Sequence, residues 1–173
     1  MTDSALRLLY DSAKKREWSE IATGDTLDVK ASILLTVVAL VATITGLVLA
    51  WPALPQFPYL KVVQVASVCL LSLSAALGVA ALRPRGYRYE VTPDAYADWI
   101  QGLEQFYKPG EVTDAVIMAA DFKEVSNRFQ INKLLNAQKS DCLFWCFWTL
   151  VPAVAIALVS LLLMALHLAG RAA

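Results

Sequence analysis

The chain has 173 residues, of which 58% are hydrophobic and only 17% charged, with fifteen basic residues balanced by fifteen acidic ones. An ordinary soluble domain carries about 25% charge, so this composition points to an integral membrane protein. A net charge of zero gives no reason to expect a nucleic-acid partner.

Residues 4–22 form a short amphipathic helix candidate with Leu6, Leu9, Ala13, Trp18 and Ile21 on one side. It is expected either to pack on another cytoplasmic helix or to lie on the inner leaflet. Lys14-Lys15-Arg16 supplies no more than a weak attraction to anionic lipid. Gly24 and Asp25 are expected to break this helix, with Asp25 or Thr26 capping the next one. Ala31–Ala50 is then uncharged and of spanning length, without a small-residue cleavage site, so it is expected to act as its own insertion signal. Trp51–Lys61 carries three prolines that stop helices, and Trp51, Phe57 and Tyr59 suit the headgroup boundary. A second span follows at Val62–Leu82.

The segment 86–141 holds a predicted helix over roughly 93–107, opened by Thr92 and Pro93 and stopped by Pro109-Gly110. A further helix begins near Thr113, and no breaker lies between Asp114 and Val151. The third span, Cys142–Leu168, is therefore expected to continue a cytoplasmic helix without a joint; being longer than a bilayer needs, it should tilt, bend at Pro152 or project. The expected fold is an all-α integral membrane protein: an N-terminal helix (1–24), a transmembrane hairpin (25–85, spans about 31–50 and 62–82), a cytoplasmic helical subdomain (86–141), a third transmembrane helix (142–168) and a short tail (169–173). Five Lys or Arg residues precede the first span and eight lie between the second and third, against only Lys61 in the hairpin turn and Arg171 near the C-terminus. This bias places the N-terminus inside and the C-terminus outside.

Three constellations carry the remaining information. Small and weakly polar residues recur at intervals of three and four along each span: Ser32, Thr36, Ala39, Thr43 and Gly46; Gln64, Ser67, Leu71, Ser74 and Gly78; Cys142, Cys146, Thr149, Ala153 and Ser160. Such stripes either pack helices within one chain or face a common axis among several chains, where Gln64 and the hydroxyls would line a narrow wet path. Met118, Phe122, Val125, Phe129, Asn132 and Asn136 keep coiled-coil spacing in a seam that turns polar toward the third span. That seam either joins copies of the chain or lets its asparagines pair with Asp28 or Arg83 in the same copy. Finally, Asp28 and Lys30, Arg83 and Arg85, and Lys139 and Asp141 bracket the three spans at one depth. Snorkelling and topology need only the basic members, so Asp28 and Asp141 suggest either a structural network, Asp28 to Arg83 or Arg85 and Lys30 to Asp141, or a gate latch.

No nucleophile–base set can be assembled, since the only histidine, His167, has no carboxylate near it in sequence. Cys69, Cys142 and Cys146 read as small packing residues, and two thiols one turn apart do not make a metal site. There is no phosphate-binding glycine loop, and no cofactor is expected.

A short charged helix runs into Asp28-Val29-Lys30-Ala31-Ser32-Ile33-Leu34-Leu35, Leu82-Arg83-Pro84-Arg85 ends the second span, and a helix carrying asparagines and Lys139 enters the last one. In this order and spacing the chain resembles the transmembrane effector family of Pycsar anti-phage systems, in which a pyrimidine cyclase signals to a membrane protein. The resemblance implies an effector in the bacterial inner membrane that impairs membrane integrity during infection, and the stripes and the seam add the expectation of a homo-oligomer. It also implies a response to a cyclic nucleotide such as cyclic CMP or cyclic UMP, or to a cyclase-linked partner.

The topology makes a direct prediction. Single cysteines introduced at Gln56 and Ala172 should react with an impermeant thiol reagent added outside intact cells, and one at Gln101 should not. Labelling at Gln101 before lysis would overturn the assignment.

Overall fold

The computed structural model describes residues 3–54, 57–83, 98, 101–102 and 113–172. Three long helices dominate them: α1 (Asp3–Leu49), α2 (Pro58–Leu82) and α3 (Asp114–Ala172). Each contains a stretch long and apolar enough to cross a membrane, and there is no strand among the described residues. The helix expected over 93–107 and the cap at Thr92 lie largely outside the described residues.

The expected break at Gly24 does not occur, because α1 runs through it as 47 continuous residues. One interior glycine costs a helix only about 1 kcal/mol, too little to end a long helix whose face is buried on both sides of it, at Glu17 and at Ala31. Asp25 and Thr26 are accordingly interior to the helix rather than caps. The chain nevertheless divides into two compact units at this point: unit 1 is Met1–Asp25 with Arg85–Ala137, and unit 2 is Thr26–Pro84 with Gln138–Ala173. The boundary falls inside the continuous α1 and α3, not at an end of secondary structure. Likewise α3 is unbroken over 59 residues, with Pro152 accommodated inside it on an exposed side.

The buried residues show why these helices pair. In α1, Glu17, Gly24, Ala31, Val38 and Thr45 are buried at every seventh position. In α3, Val125, Asn132, Lys139, Cys146, Ala153 and Ser160 are buried in the same rhythm. A sustained seven-residue repeat keeps one face of a helix turned to a partner. Within unit 1 the inward side of α1 runs through Leu6, Tyr10, Ala13 and Glu17, while Leu9 and Trp18, expected on that side, are exposed.

In unit 1, α1 and α3 meet through Tyr10 and Asp121 and through Glu17 and Arg128, each pair 111 residues apart. In unit 2 the same helices meet through Asp28 and Lys139, again 111 apart. A constant difference in residue number makes the two helices parallel in unit 1, and in unit 2 the order Asp28 with Lys139, Ala31 with Leu143 and Val38 with Leu150 makes them parallel as well. By contrast, α2 meets α3 through Gln64 with Ser160 and Ser74 with Cys146, where numbers rise along one helix as they fall along the other, so this pair is antiparallel.

Unit 2 holds three apolar clusters. Val38 and Val41 of α1, Leu71 of α2 and Leu150, Ala153 and Ala157 of α3 form the largest. Ala31, Ala81 and Leu143 form the second, and Trp51, Ala53 and Leu54, in the turn after α1, form the third. That turn is held by backbone bonds from Leu54 N–H to the Trp51 carbonyl (3.0 Å) and from Phe57 N–H to the Leu54 carbonyl (2.9 Å) before Pro58 opens α2. Trp51 is buried there rather than facing outward, whereas Tyr59 is exposed.

The tightest helix approach is at Gly78, where an added Cβ would sit 2.7 Å from Leu35 Cδ2 and 3.0 Å from its Cγ; at Gly46 it would meet nothing within 4 Å. Gly78→Val should therefore overpack the α1–α2 contact, at about 1–3 kcal/mol, and lower the Tm of the purified protein by several degrees. Gly46→Val should leave the Tm of the detergent-solubilised monomer close to wild type. Equal Tm losses at both glycines would refute this contact.

Candidate functional site

The polar residues that the helices bury form a different set in each unit. In unit 1, Arg128 is only 2% exposed, and its Nε donates to Glu17 Oε1 at 2.7 Å while its Nη2 lies 3.9 Å from Asp121 Oδ1. The other Asp121 oxygen accepts from the Tyr10 hydroxyl at 2.5 Å. Burial, reinforced by that hydrogen bond to a carboxylate, raises the Tyr10 pKa above its ordinary value, so the phenol is held protonated as a donor. One guanidinium between two carboxylates satisfies the requirement that buried charge be paired and hydrogen-bonded. Further along, the Asn136 side-chain amide donates both to the Glu20 carbonyl (2.7 Å) and to Glu20 Oε2 (2.9 Å).

Half of the expected seam is buried. Val125, Asn132 and Asn136 are buried within the chain, and Asn136 pairs with Glu20 rather than with Asp28 or Arg83. Met118, Phe122 and Phe129 are half-buried along its margin. Phe122 and Phe129 line a cavity of about 180 Å³ with Leu9, Ala13 and Arg16. Asn136 therefore serves the α1–α3 pairing of unit 1, and the half-buried seam residues leave surface for another copy.

The charged ring is rearranged more strongly. Lys139 is buried, and its Nζ donates to Asp28 Oδ1 at 2.6 Å, with side-chain exposures of 3% for the lysine and 42% for the aspartate. Asp28 thus pairs with Lys139, which the parallel register of α1 and α3 brings opposite it, while Arg83, one of its two expected partners, is exposed. Lys30, Arg83 and Asp141 are exposed, and among the described residues Lys30 forms no ion pair with Asp141. Arg85 lies outside the described residues. Among the described ring residues, then, Asp28 and Lys139 form an ion pair between two helices, and Lys30, Arg83 and Asp141 are exposed beside it.

In unit 2 the small-residue stripes separate. Gln64, Ser67, Leu71, Ser74 and Gly78 of α2 are all buried, as are Cys146, Ala153 and Ser160 of α3. Ser74 Oγ donates to the Cys146 carbonyl at 2.9 Å, and the Gln64 amide donates to Ser160 Oγ. The stripe of α1 points the other way: Ser32, Thr36, Thr43 and Gly46 are exposed. Its hydroxyls bond their own helix, Ser32 to the Asp28 carbonyl (3.0 Å), Thr36 to that of Ser32 (2.9 Å) and Thr43 to that of Ala39 (3.0 Å). They need no partner from another helix.

Tyr10, Glu17, Glu20, Asp121, Arg128 and Thr45 escape sequence reasoning. The signal that would have found Glu17 and Thr45 is their place in the every-seventh series with Gly24, Ala31 and Val38. Near the end of α3, His167 stands edge-on to Trp51 (5.1 Å between ring centres) and to Phe57 (5.6 Å), closing the turn after α1 against α3. Among the described residues no three His, Cys, Asp or Glu side chains gather as a metal site requires.

The exposures of the Asp28–Lys139 pair predict an asymmetry. Asp28→Ala takes the carboxylate from a buried ammonium and should cost about 1–3 kcal/mol, whereas Lys139→Met leaves a carboxylate that water reaches and should cost less. Chemical or thermal unfolding of both variants measures this, and the double exchange Asp28→Lys with Lys139→Asp should recover part of the loss. A larger loss for Lys139→Met would contradict it.

Comparison of the chain with protein-family models, with curated proteins and with solved structures finds no match.

Proposed function

We propose that this chain is an oligomeric membrane effector of bacterial anti-phage defence, resident in the inner membrane, whose helices rearrange on activation and impair the bilayer. The observation that carries the membrane part is the inverted polarity of unit 2. Leu40, Leu47, Val62, Val65, Leu73, Val79, Phe144, Trp145, Leu158 and Leu162 are exposed, while Gln64, Ser67, Ser74 and Ser160 are buried. In the three most apolar stretches only 22%, 28% and 22% of residues are buried. An apolar exterior of this extent is unfavourable in water and suits hydrocarbon.

The effector part rests on the resemblance together with two features of the helices. The exposed stripe of Ser32, Thr36, Thr43 and Gly46 gives α1 a smooth face on which a helix of another copy can pack closely. The interior polar residues supply the lining that a rearranged assembly would turn toward water. The trigger in this reading is a cyclic pyrimidine nucleotide, acting on the chain directly or through its cyclase partner.

The test is induction in a bacterial host, alone and with a pyrimidine cyclase, while membrane potential is followed and membranes are extracted with carbonate. The expected result is a carbonate-resistant protein that depolarises cells when the cyclase is active. An extractable protein would remove the membrane reading. An inserted protein that never changes the potential would leave an anchoring subunit in place of an effector.

A further inference from the structure

Three side-chain oxygens in unit 2 have no hydrogen-bond partner among the described residues: Thr45 Oγ1, Gln64 Oε1 and Ser67 Oγ. Their residues are 1%, 0% and 0% exposed, so solvent at the protein surface does not satisfy them either. The antiparallel course of α1 and α2 sets Thr45 and Ser67 at one level, with Gln64 one turn from Ser67 along α2. Gly78 lies against Leu35, and Leu71 packs with Val38 and Val41. One further turn along each helix brings Ser67 to the level of Thr45. Thr45 also shares a groove of about 310 Å³ with Gly46 of its own helix and with Val68, Leu71 and Ser72 of α2.

The bonding capacity of these atoms narrows what they can hold. The Gln64 amide nitrogen already donates to Ser160 Oγ, and Ser160 in turn donates to the Ile156 carbonyl at 2.7 Å. Gln64 Oε1 is therefore an acceptor that still needs a donor, and Thr45 and Ser67 are hydroxyls able to donate or accept. A metal cation fits poorly, because no carboxylate stands among the three and an uncompensated charge buried there is costly. A water molecule fits, since buried waters make about three hydrogen bonds to otherwise unsatisfied groups.

We propose that Thr45, Gln64 and Ser67 form an internal water-binding site between α1 and α2, reached from the groove beside Thr45. The bound water donates to Gln64 Oε1 and exchanges hydrogen bonds with the two hydroxyls. The site stands on the packing of unit 2 and does not require the effector reading. If that reading holds, this is the level at which an aqueous path first opens when α1 moves from α2.

The alternative is a dry site, in which Thr45 and Ser67 turn their hydroxyls onto carbonyls of their own helices, as Thr43 and Ser72 do. Two measurements on the full chain reconstituted in bilayers of deuterated lipid separate the two. In water-edited solid-state NMR, Thr45 and Ser67 should receive magnetisation from water rapidly, while the buried Leu150 and Ala153 stay dark. In thermal unfolding, the isosteric Thr45→Val and the small Ser67→Ala should each lower Tm by several degrees. The double variant should lose less than the two together, because one water serves both. Thr45 and Ser67 as dark as Ala153, or a Thr45→Val variant at least as stable as wild type, would overturn the site. Either result is distinct from failure of the effector reading, which is read from membrane potential.

Discussion

A polar group enclosed between these helices has to find its partner there, because the faces around it are apolar. Arg128 between Glu17 and Asp121, Lys139 on Asp28, and Asn136 on Glu20 all meet that condition across one helix pair. Desolvating such charges costs much of what their attraction returns, so they are weak evidence for stability in themselves. What they do supply is register. A face made only of Val, Ala and Leu at every seventh position would pack nearly as well after slipping one repeat, about 10 Å along the axis. After such a slip Arg128 would face Gly24 or Tyr10 in place of Glu17. The common separation of 111 residues in three contacts is the trace of that constraint.

Toward the apolar stretches the means of pairing change. Charges give way to small residues, Ala31, Gly78, Ala81 and Ala153, which let backbones approach, and to hydroxyls and an amide that need only short partners. This is the chemistry expected where water cannot serve as a reserve donor or acceptor. It also leaves α1 with two working faces. The face through Ala31, Val38 and Thr45 is spent on α2 and α3, and the face through Ser32, Thr36 and Gly46 is not.

Much of the architecture was legible in the residues. The apolar stretches gave three helices, the lack of a breaker gave the unbroken α3, and the spacing of Gln64, Ser67, Leu71, Ser74 and Gly78 marked a face that is buried throughout. Other features were not legible, for particular reasons. Gly24 reads as a break on propensity alone, but its cost of about 1 kcal/mol is small beside the burial of the face that continues through it. The α1 stripe was assigned no side, because Ser and Thr that bond their own helix can face inward or outward at similar cost. Glu17 and Arg128 passed unnoticed since charged residues are usually solvated, and Lys139 was recognised without its partner because that partner follows from a register that only the folded pair defines.

The parallel pairing of α1 with α3 also bears on how the chain is made. The partner of Glu17 leaves the ribosome only after another 111 residues have been joined, and the partner of Gln64 after another 96. Contacts so distant in sequence form late and close large loops. Until α3 emerges, α1 and α2 carry polar groups that their own hairpin does not satisfy, and the nascent protein resembles its finished form only in secondary structure. The last helix is thus the one that completes the other two, and a chain cut short before it would be an early substrate for quality control.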